Sequence, residues 1–172
     1  GEDEAGGFPS RYLAQFGLEG SGITRGQTSY RWYAEIADTT CDAVKSAKLF
    51  NCAYRQAIYA SGYTYEGRII GHGLDNDGRV VSAGVVVVSS EGNSWHVFGR
   101  VGDLNRVGDD PNHSVAVTPQ ELASLDIQYA HTTKIGRFDV GLGYERRENI
   151  ATAASSSDAR AYVRWTSARK GR

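Results

Sequence analysis

The fold is decided by the stretch Lys134-Ile135-Gly136-Arg137-Phe138-Asp139-Val140-Gly141-Leu142-Gly143-Tyr144-Glu145. Every second side chain in its centre is apolar, namely Phe138, Val140, Leu142 and Tyr144. The positions between and beside them carry small or charged residues, namely Arg137, Asp139, Gly141, Gly143 and Glu145. Successive side chains of a β-strand point to opposite faces, so this period of two predicts a strand with one apolar and one polar face.

The same alternation recurs along the chain. It marks residues 12–18, 30–36, 79–89, 95–101, 125–130 and 160–165. Short polar breaks at residues 90–94 and 131–134 are typical of tight connections between antiparallel strands. Only residues 42–54 suggest a helical period. The sequence therefore predicts an all-β, antiparallel fold with about seven strands.

Composition narrows the class of protein. The 172 residues carry 19 Lys and Arg against 20 Asp and Glu, a net charge of −1, so we expect no nucleic-acid partner. No apolar stretch exceeds the four residues 85–88, far short of the roughly 20 that a transmembrane helix needs. This excludes a helical membrane protein and leaves a membrane β-barrel open.

The connections between the predicted strands alternate between short and long. Residues 37–78, 102–119 and 147–158 form long polar connections, whereas the turns between them are brief. Outer-membrane barrels have this layout and a polar interior, so we favour a transmembrane β-barrel and keep a soluble sandwich or soluble barrel as the alternative. Bacterial single-chain barrels have an even number of strands, eight or more. We therefore expect residues 1–172 to be one segment of an incomplete barrel, taken from a longer chain.

The two cysteines, Cys41 and Cys52, enclose a loop close to the ~15-residue case in which a disulfide contributes about 3 kcal/mol. In an oxidising compartment we expect them to pair, in an exposed loop. Two unrelated buried thiols are the alternative.

No pattern in the sequence supports a metal, cofactor or catalytic site. The four histidines lack the spacing of metal ligands, and no phosphate-binding loop or nucleophile elbow occurs. Carboxylates are plentiful, but the sequence places no pair of them at the separation that a glycosidase needs. We expect no metal, no cofactor and no enzymatic activity.

Residues 58–77 interleave tyrosine, arginine, histidine, aspartate and asparagine with glycine. Tyrosine rings stack on sugar rings, while Arg, Asp and Asn offer the paired hydrogen bonds that vicinal hydroxyls need. The candidate ligand-binding residues are Tyr63, Tyr65, Arg68, Asp75 and Asp77. The alternative is an ordered loop that packs into the barrel mouth.

Four stretches resemble the capsule assembly Wzi family of Gram-negative bacteria. They are residues 34–39, 58–77, 100–106 and 136–145, within a similarity that runs in order from residue 12 to residue 165 and covers the C-terminal portion of a full-length member. The resemblance implies a β-barrel in the outer membrane, in contact with its lipid, that acts as a lectin at the cell surface. Such a protein holds capsular or extracellular polysaccharide without chemistry on it and without a cofactor. The implied compartment is oxidising, which favours the pairing of Cys41 and Cys52.

Two other functions stay open at this stage. A porin-like channel would use the polar interior to conduct small solutes. A polysaccharide-processing enzyme would shorten the polymer. Conductance in a planar bilayer distinguishes the first from a lectin, and a shortened glycan product distinguishes the second.

Overall fold

A computed structural model describes residues 12–41, 53–54, 64–65, 68–69, 72–106, 108 and 113–168. The strands in these ranges are β1 (Ala14–Ile23), β2 (Ser29–Asp38), β3 (Thr64–Tyr65), β4 (Arg68–Ile69), β5 (Arg79–Val88), β6 (Ser94–Leu104), β7 (Gln120–Thr133), β8 (Gly136–Asn149) and β9 (Ser155–Ser167). No helix among the described residues has the length and apolar character needed to cross a membrane.

Seven of these strands form one antiparallel sheet in the order β1-β2-β5-β6-β7-β8-β9. Strands β3 and β4 pair separately as a small hairpin. The predicted all-β, antiparallel fold and its seven main strands are therefore confirmed. The helical period suggested for residues 42–54 lies, apart from residues 53–54, outside the described residues.

Two predicted connections differ from the structure. Residues 147–158 do not form a long connection, because β8 continues to Asn149 and β9 begins at Ser155, which leaves only residues 150–154 between the strands. The polar residues 131–134 were expected to form the break between β7 and β8, but β7 continues to Thr133 and the turn consists of Lys134 and Ile135. His131 pairs with Phe138 across the ladder, and the Thr133 hydroxyl donates a hydrogen bond of 2.7 Å to the Gly136 carbonyl. These polar side chains are thus part of the strand, because pairing with β8 satisfies their backbone groups.

The register gives the sheet two chemically distinct faces. We call the face that carries Val140, Leu142 and Tyr144 the outer face, because these side chains are exposed. The opposite, inner face carries Asp139 and Glu145, which are buried or partly buried. The predicted separation of apolar and charged residues in β8 is confirmed.

The outer face is apolar across all seven strands. Because each strand is paired in register with the next, side chains of one face form transverse rows. One such row on the outer face contains Gly20, Trp32, Val85, Val97, Ile127, Leu142 and Ala161. Aromatic residues gather where the short turns lie, with Trp95 and Tyr129 at 4.5 Å and Phe138 and Trp165 at 6.4 Å between ring centroids.

The long connections fold over the inner face at the other end of the sheet. Residues 72–78 and 113–116, which we call the loop cap, place Leu74 and Ala116 against apolar side chains at the strand ends. Those strand residues are Ala37, Val80, Leu104 and Leu122. The main apolar core of the described residues therefore lies beneath the loop cap, and the rest of the inner face carries mostly polar and small residues with a few aromatic rings among them.

Replacing Gly102 by alanine is expected to destabilise the sheet by about 1–3 kcal/mol. A Cβ at this position would lie 2.1 Å from the Arg79 carbonyl oxygen and 2.6 Å from the Val80 Cα, so the backbones of β5 and β6 would have to separate. Gly99→Ala on the same strand is the matched control, since the nearest atom there is 3.5 Å away. Urea unfolding of the full-length protein measures the difference, and equal stability of the two variants would contradict this close approach.

Candidate functional site

The structure places the predicted ligand-binding residues in two different settings. Tyr65 and Arg68 are backbone partners in the β3–β4 hairpin. Asp75 and Asp77 lie in the loop cap and are buried, with exposures of 2% and 0%. Tyr63 lies outside the described residues. The prediction that these five residues contact a ligand stays a prediction.

Asp75 joins the two halves of the loop cap. One carboxylate oxygen accepts a hydrogen bond of 2.8 Å from the Asn76 backbone N–H, and the other accepts one of 2.6 Å from the Ser114 backbone N–H. Its backbone φ of 64° is left-handed, a conformation that aspartate tolerates better than most residues. Asp75 therefore acts within the closed cap as a structural acceptor for two loops that are 39 positions apart.

His113 and Asp77 complete the loop cap. The His113 Nδ1 accepts hydrogen bonds from the backbone N–H groups of Val115 and Ala116 at 3.2 and 3.0 Å, which leaves the Nε2–H to donate to the Asn76 carbonyl at 2.7 Å. Asp77 accepts a bond of 3.3 Å from the Arg106 guanidinium. A ligand could reach either buried carboxylate only if the cap opened.

Cys41 follows β2 and is buried with a left-handed φ of 63°. It is disulfide-bonded. The expectation of an exposed loop is therefore wrong for Cys41, because the neighbouring Thr39 and Thr40 are buried with it. Cys52 lies outside the described residues, so its pairing with Cys41 stays a prediction.

The inner face carries charged groups that are paired both within a strand and across strands. Asp139 accepts hydrogen bonds from Arg137 at 2.9 Å and Arg164 at 3.2 Å. Glu145 likewise accepts from Arg100 at 3.1 Å and from Arg147 at 2.7 Å. Each carboxylate thus serves two guanidinium groups, which offsets the cost of placing charges against the sheet.

A cavity of about 580 Å³ opens on the inner face. We call it the inner-wall cavity; it is lined by side chains of Tyr33, Val86, His96, Phe98, Asp126, Gln128, Arg160 and Tyr162. Tyr33 and Phe98 are stacked, with ring centroids 6.4 Å apart and an angle of 27° between the rings. Tyr33 and Tyr162 remain 38% and 42% exposed. The cavity therefore combines accessible rings with polar groups.

Both tyrosine rings of the inner-wall cavity rest on glycines. A Cβ on Gly84 would lie 2.6 Å from the Tyr33 ring, and one on Gly141 would lie 2.2 Å from the Tyr162 ring. In each case the glycine is the direct cross-strand partner of the tyrosine. The absence of a side chain lets the ring approach the backbone, and this is a recognised way of stabilising a glycine in a sheet.

Arg160 and Asp126 form an ion pair in the lining of the inner-wall cavity, beside the polar side chains of His96 and Gln128. The Arg160 Nη2 lies 2.7 and 2.9 Å from the two carboxylate oxygens of Asp126. These residues are on β9 and β7, and the arginine reaches across Gly143 on the strand between them. A Cβ on Gly143 would lie 2.5 Å from the Arg160 Nε, so the pair depends on this glycine.

Sequence reasoning did not single out the inner-wall cavity. The alternation in residues 30–36 and 160–165 predicts only that Tyr33 and Tyr162 lie on the polar faces of their strands. The sequence contains only a weak indication of this cavity, namely that both tyrosines are aromatic residues on an otherwise polar face. What the sequence does not give is the register that places a glycine opposite each ring.

Among the residues that the structure describes, no three His, Cys, Asp or Glu side chains come close enough together to hold a metal ion.

Comparison with known proteins gives one family and one solved structure. A model of the family described as capsule assembly protein Wzi matches residues 1–161. No protein with a curated description matches the sequence. The chain is similar, with 24% identity and a TM-score of 0.70, to a structure described as Wzi, an outer membrane protein involved in group 1 capsule assembly in Escherichia coli and a carbohydrate-binding β-barrel.

That match covers 95% of this chain and 35% of the Escherichia coli protein. The chain thus spans about a third of the length of the barrel that it resembles. At this TM-score the likeness shows that the seven-stranded sheet has the fold of a β-barrel wall.

Replacing Asp75 by alanine is expected to loosen the loop cap. The backbone N–H groups of Asn76 and Ser114 would lose their acceptor, at a cost of about 1–3 kcal/mol for buried groups. Hydrogen exchange of the full-length protein should become faster in residues 113–116 and stay unchanged in β5 to β8. Glu91→Ala is the control, since this exposed carboxylate lies in a turn at the opposite end of the sheet. Unchanged exchange at residue 114 in the Asp75 variant would contradict this role.

Proposed function

The chain belongs to the capsule assembly protein Wzi family, and from this premise we propose that it is one wall segment of an outer-membrane β-barrel that binds surface polysaccharide without acting on it chemically. The single observation that carries the proposal is the sheet itself. Its outer face is apolar and its inner face polar over seven consecutive strands. This is the arrangement expected of a wall with lipid on one side and water on the other.

The borders of the outer face support a position in a membrane. From Trp95 to Val101 on β6, the apolar side chains cover six residue steps, or about 20 Å along the strand. Aromatic rings lie at the end with the short turns. At the other end a transverse row of the same face is charged and contains Asp38, Arg79, Asp103, Glu121 and Glu148. An apolar band between aromatic and charged borders matches the hydrocarbon and interfacial layers of an outer membrane.

The sheet edges support the idea that residues 1–172 are a single part of a larger barrel. Among the described residues, β1 pairs only with β2, and β9 pairs only with β8. In a bilayer, unpaired backbone groups of an edge strand would cost several kcal/mol each, so further strands must complete the wall.

The polysaccharide ligand is supported by the family and by the chemistry of the chain. The family is named for capsule assembly, and the related Escherichia coli structure is described as carbohydrate-binding. We propose that residues 58–77 contribute to binding at the end of the barrel where the long loops lie. Tyr63 and Tyr65 would supply rings and Arg68 would supply hydrogen-bond donors. Asp75 and Asp77 are buried, so they would contact the polymer only when the loop cap opens and would otherwise hold the cap in shape.

Arginine on the outer face is expected to prevent insertion, whereas arginine on the inner face is tolerated. Val85 and Val86 are adjacent on β5 and lie on opposite faces. Val85→Arg should cost about 2–4 kcal/mol in a bilayer, and Val86→Arg should cost much less because it faces water. The measurement is the yield of folded full-length protein in outer membranes. If Val86→Arg were the more damaging change, the outer and inner faces would be reversed.

Polymer retention is expected to depend on residues 58–77. Single alanine variants of Tyr63, Tyr65, Arg68, Asp75 and Asp77, and their combination, are compared with the unmodified full-length protein at equal surface levels. Loss of a ring that stacks on sugar should lower the amount of polysaccharide held on the cells, and the combined variant should lower it most.

The same protein samples distinguish polysaccharide binding from the two alternative functions, a channel and an enzyme. Glu91→Ala serves as the control, because this residue lies in a turn at the far end of the sheet. Normal retention in the combined variant would remove residues 58–77 from the binding site. Steady conductance in planar bilayers would support a channel instead, and shortened polysaccharide after incubation would support an enzyme.

A further inference from the structure

We propose that the inner-wall cavity is a second carbohydrate subsite, in which Tyr33 and Tyr162 each stack on a different uncharged sugar ring of the same oligosaccharide. The inference rests on the proposed polysaccharide-binding function and adds a site away from residues 58–77. It is carried by three observations: the seating of the rings, the alignment of the lining residues, and the charge balance of the polar pair.

The seating of the rings makes them suitable for stacking. Each ring has one side against the backbone of a glycine, Gly84 for Tyr33 and Gly141 for Tyr162. Both residues nevertheless keep more than a third of their surface exposed at the cavity, although Tyr33 is also stacked with Phe98. A ring already held in place loses little conformational freedom when a ligand covers it. Stacking on the apolar face of a sugar is therefore favourable at both positions.

The lining residues form one transverse row on the inner face. Paired positions run from strand to strand through Tyr33, Gly84, Phe98, Asp126, Gly143 and Arg160. Tyr162 lies two residues further along β9, on the same face. Five strand spacings separate Tyr33 from Arg160, about 24 Å along the wall. The cavity volume of about 580 Å³ is within the range of small-molecule sites.

The polar pair favours hydroxyl groups over charged ones. Arg160 and Asp126 neutralise each other in a two-point contact, and the side chains are 54% and 24% exposed. Their remaining hydrogen-bonding capacity, N–H donors on one and lone pairs on the other, matches the paired donors and acceptors of vicinal hydroxyls. A free arginine would instead favour an anion. Because no net charge is offered, binding here should depend little on salt.

The competing explanation is that the tyrosines only stabilise the glycines beneath them. That role would change the yield and stability of the folded protein. A subsite would change affinity for the sugar at equal amounts of folded protein. The two explanations therefore differ in what they alter.

The test uses the full-length protein in detergent and oligosaccharides released from the surface polysaccharide of the producing cells. Short oligosaccharides avoid the avidity of the whole polymer. Tyr162→Ala and Tyr33→Ala should each weaken binding about tenfold, as expected when a central aromatic contact is removed. Tyr162→Phe keeps the ring and should bind like the unmodified protein. Tyr144→Ala is the matched control, because this tyrosine is 49% exposed but lies on the outer face.

Two glycine variants keep the test decisive if an alanine variant fails to fold. Gly141→Ala should push the Tyr162 ring from its seat and weaken binding with little loss of stability, because the ring can swing outward. Gly17→Ala, where the nearest atom to a Cβ is 3.5 Å away, is its control. Weaker binding in Gly141→Ala and Tyr33→Ala, with normal binding in both controls, supports the subsite.

The remaining outcomes distinguish this inference from the proposed function. If the unmodified protein binds and the Tyr33, Tyr162 and Gly141 variants bind equally well, the subsite is overturned while polysaccharide binding stands. A loss that occurs only together with a loss of folded protein assigns the rings to sheet stability and also overturns it. If the unmodified protein does not bind at all, the proposed function fails and the subsite fails with it. Strong weakening by salt would replace the uncharged sugar by an acidic one and so contradict the stated ligand.

Discussion

The structure depends on the hydrogen-bonded register of seven antiparallel strands. In every pair, residues of the same face lie opposite one another; Leu142, for example, pairs with Ile127 on one side and Ala161 on the other. The side-chain period of a strand is two, so a slip of one residue would exchange the two faces of that strand. Asp139 would then point to the apolar side. The sharp difference between the faces is therefore also what makes one register far more stable than its neighbours.

The inner face tolerates its charges because the groups are paired, some of them over distances longer than one strand spacing. Arg160 passes over Gly143 to reach Asp126, and Arg100 donates to Ser124 on the way to Glu145. Partly exposed pairs of this kind contribute little to stability individually, typically about 0–1 kcal/mol. Their larger effect is to fix long side chains against the wall. Small residues beneath the guanidinium groups are what allows this, and they explain why glycine accompanies charge on the polar faces.

Much of the fold was predictable from the sequence because alternation is a local property. The strands β2, β5 to β6 and β7 to β9 follow directly from it, and the error at residues 131–135 arose because His131 and Thr132 are polar at positions where the ladder still pairs. The loop cap was not predictable. Its central bond joins Asp75 to Ser114, which are far apart in sequence and belong to two different connections. The burial of Asp75 and Asp77 follows from that closure, and an acidic loop sequence by itself suggests exposure.

The inner-wall cavity was hidden for a related reason. A tyrosine among charged residues is ambiguous until its cross-strand neighbour is known, and the neighbours of Tyr33 and Tyr162 are glycines on other strands. A larger neighbour would have pushed each ring outward and left it mobile. A glycine lets it lie against the backbone, which covers one side of the ring and holds the other in a fixed position. The packing of each ring that stabilises a glycine in the sheet therefore also holds an aromatic surface in place on the polar, water-facing side of the wall. Stability and ligand binding need not compete at these positions, because the side of the ring that stabilises the sheet is not the side that a sugar would cover.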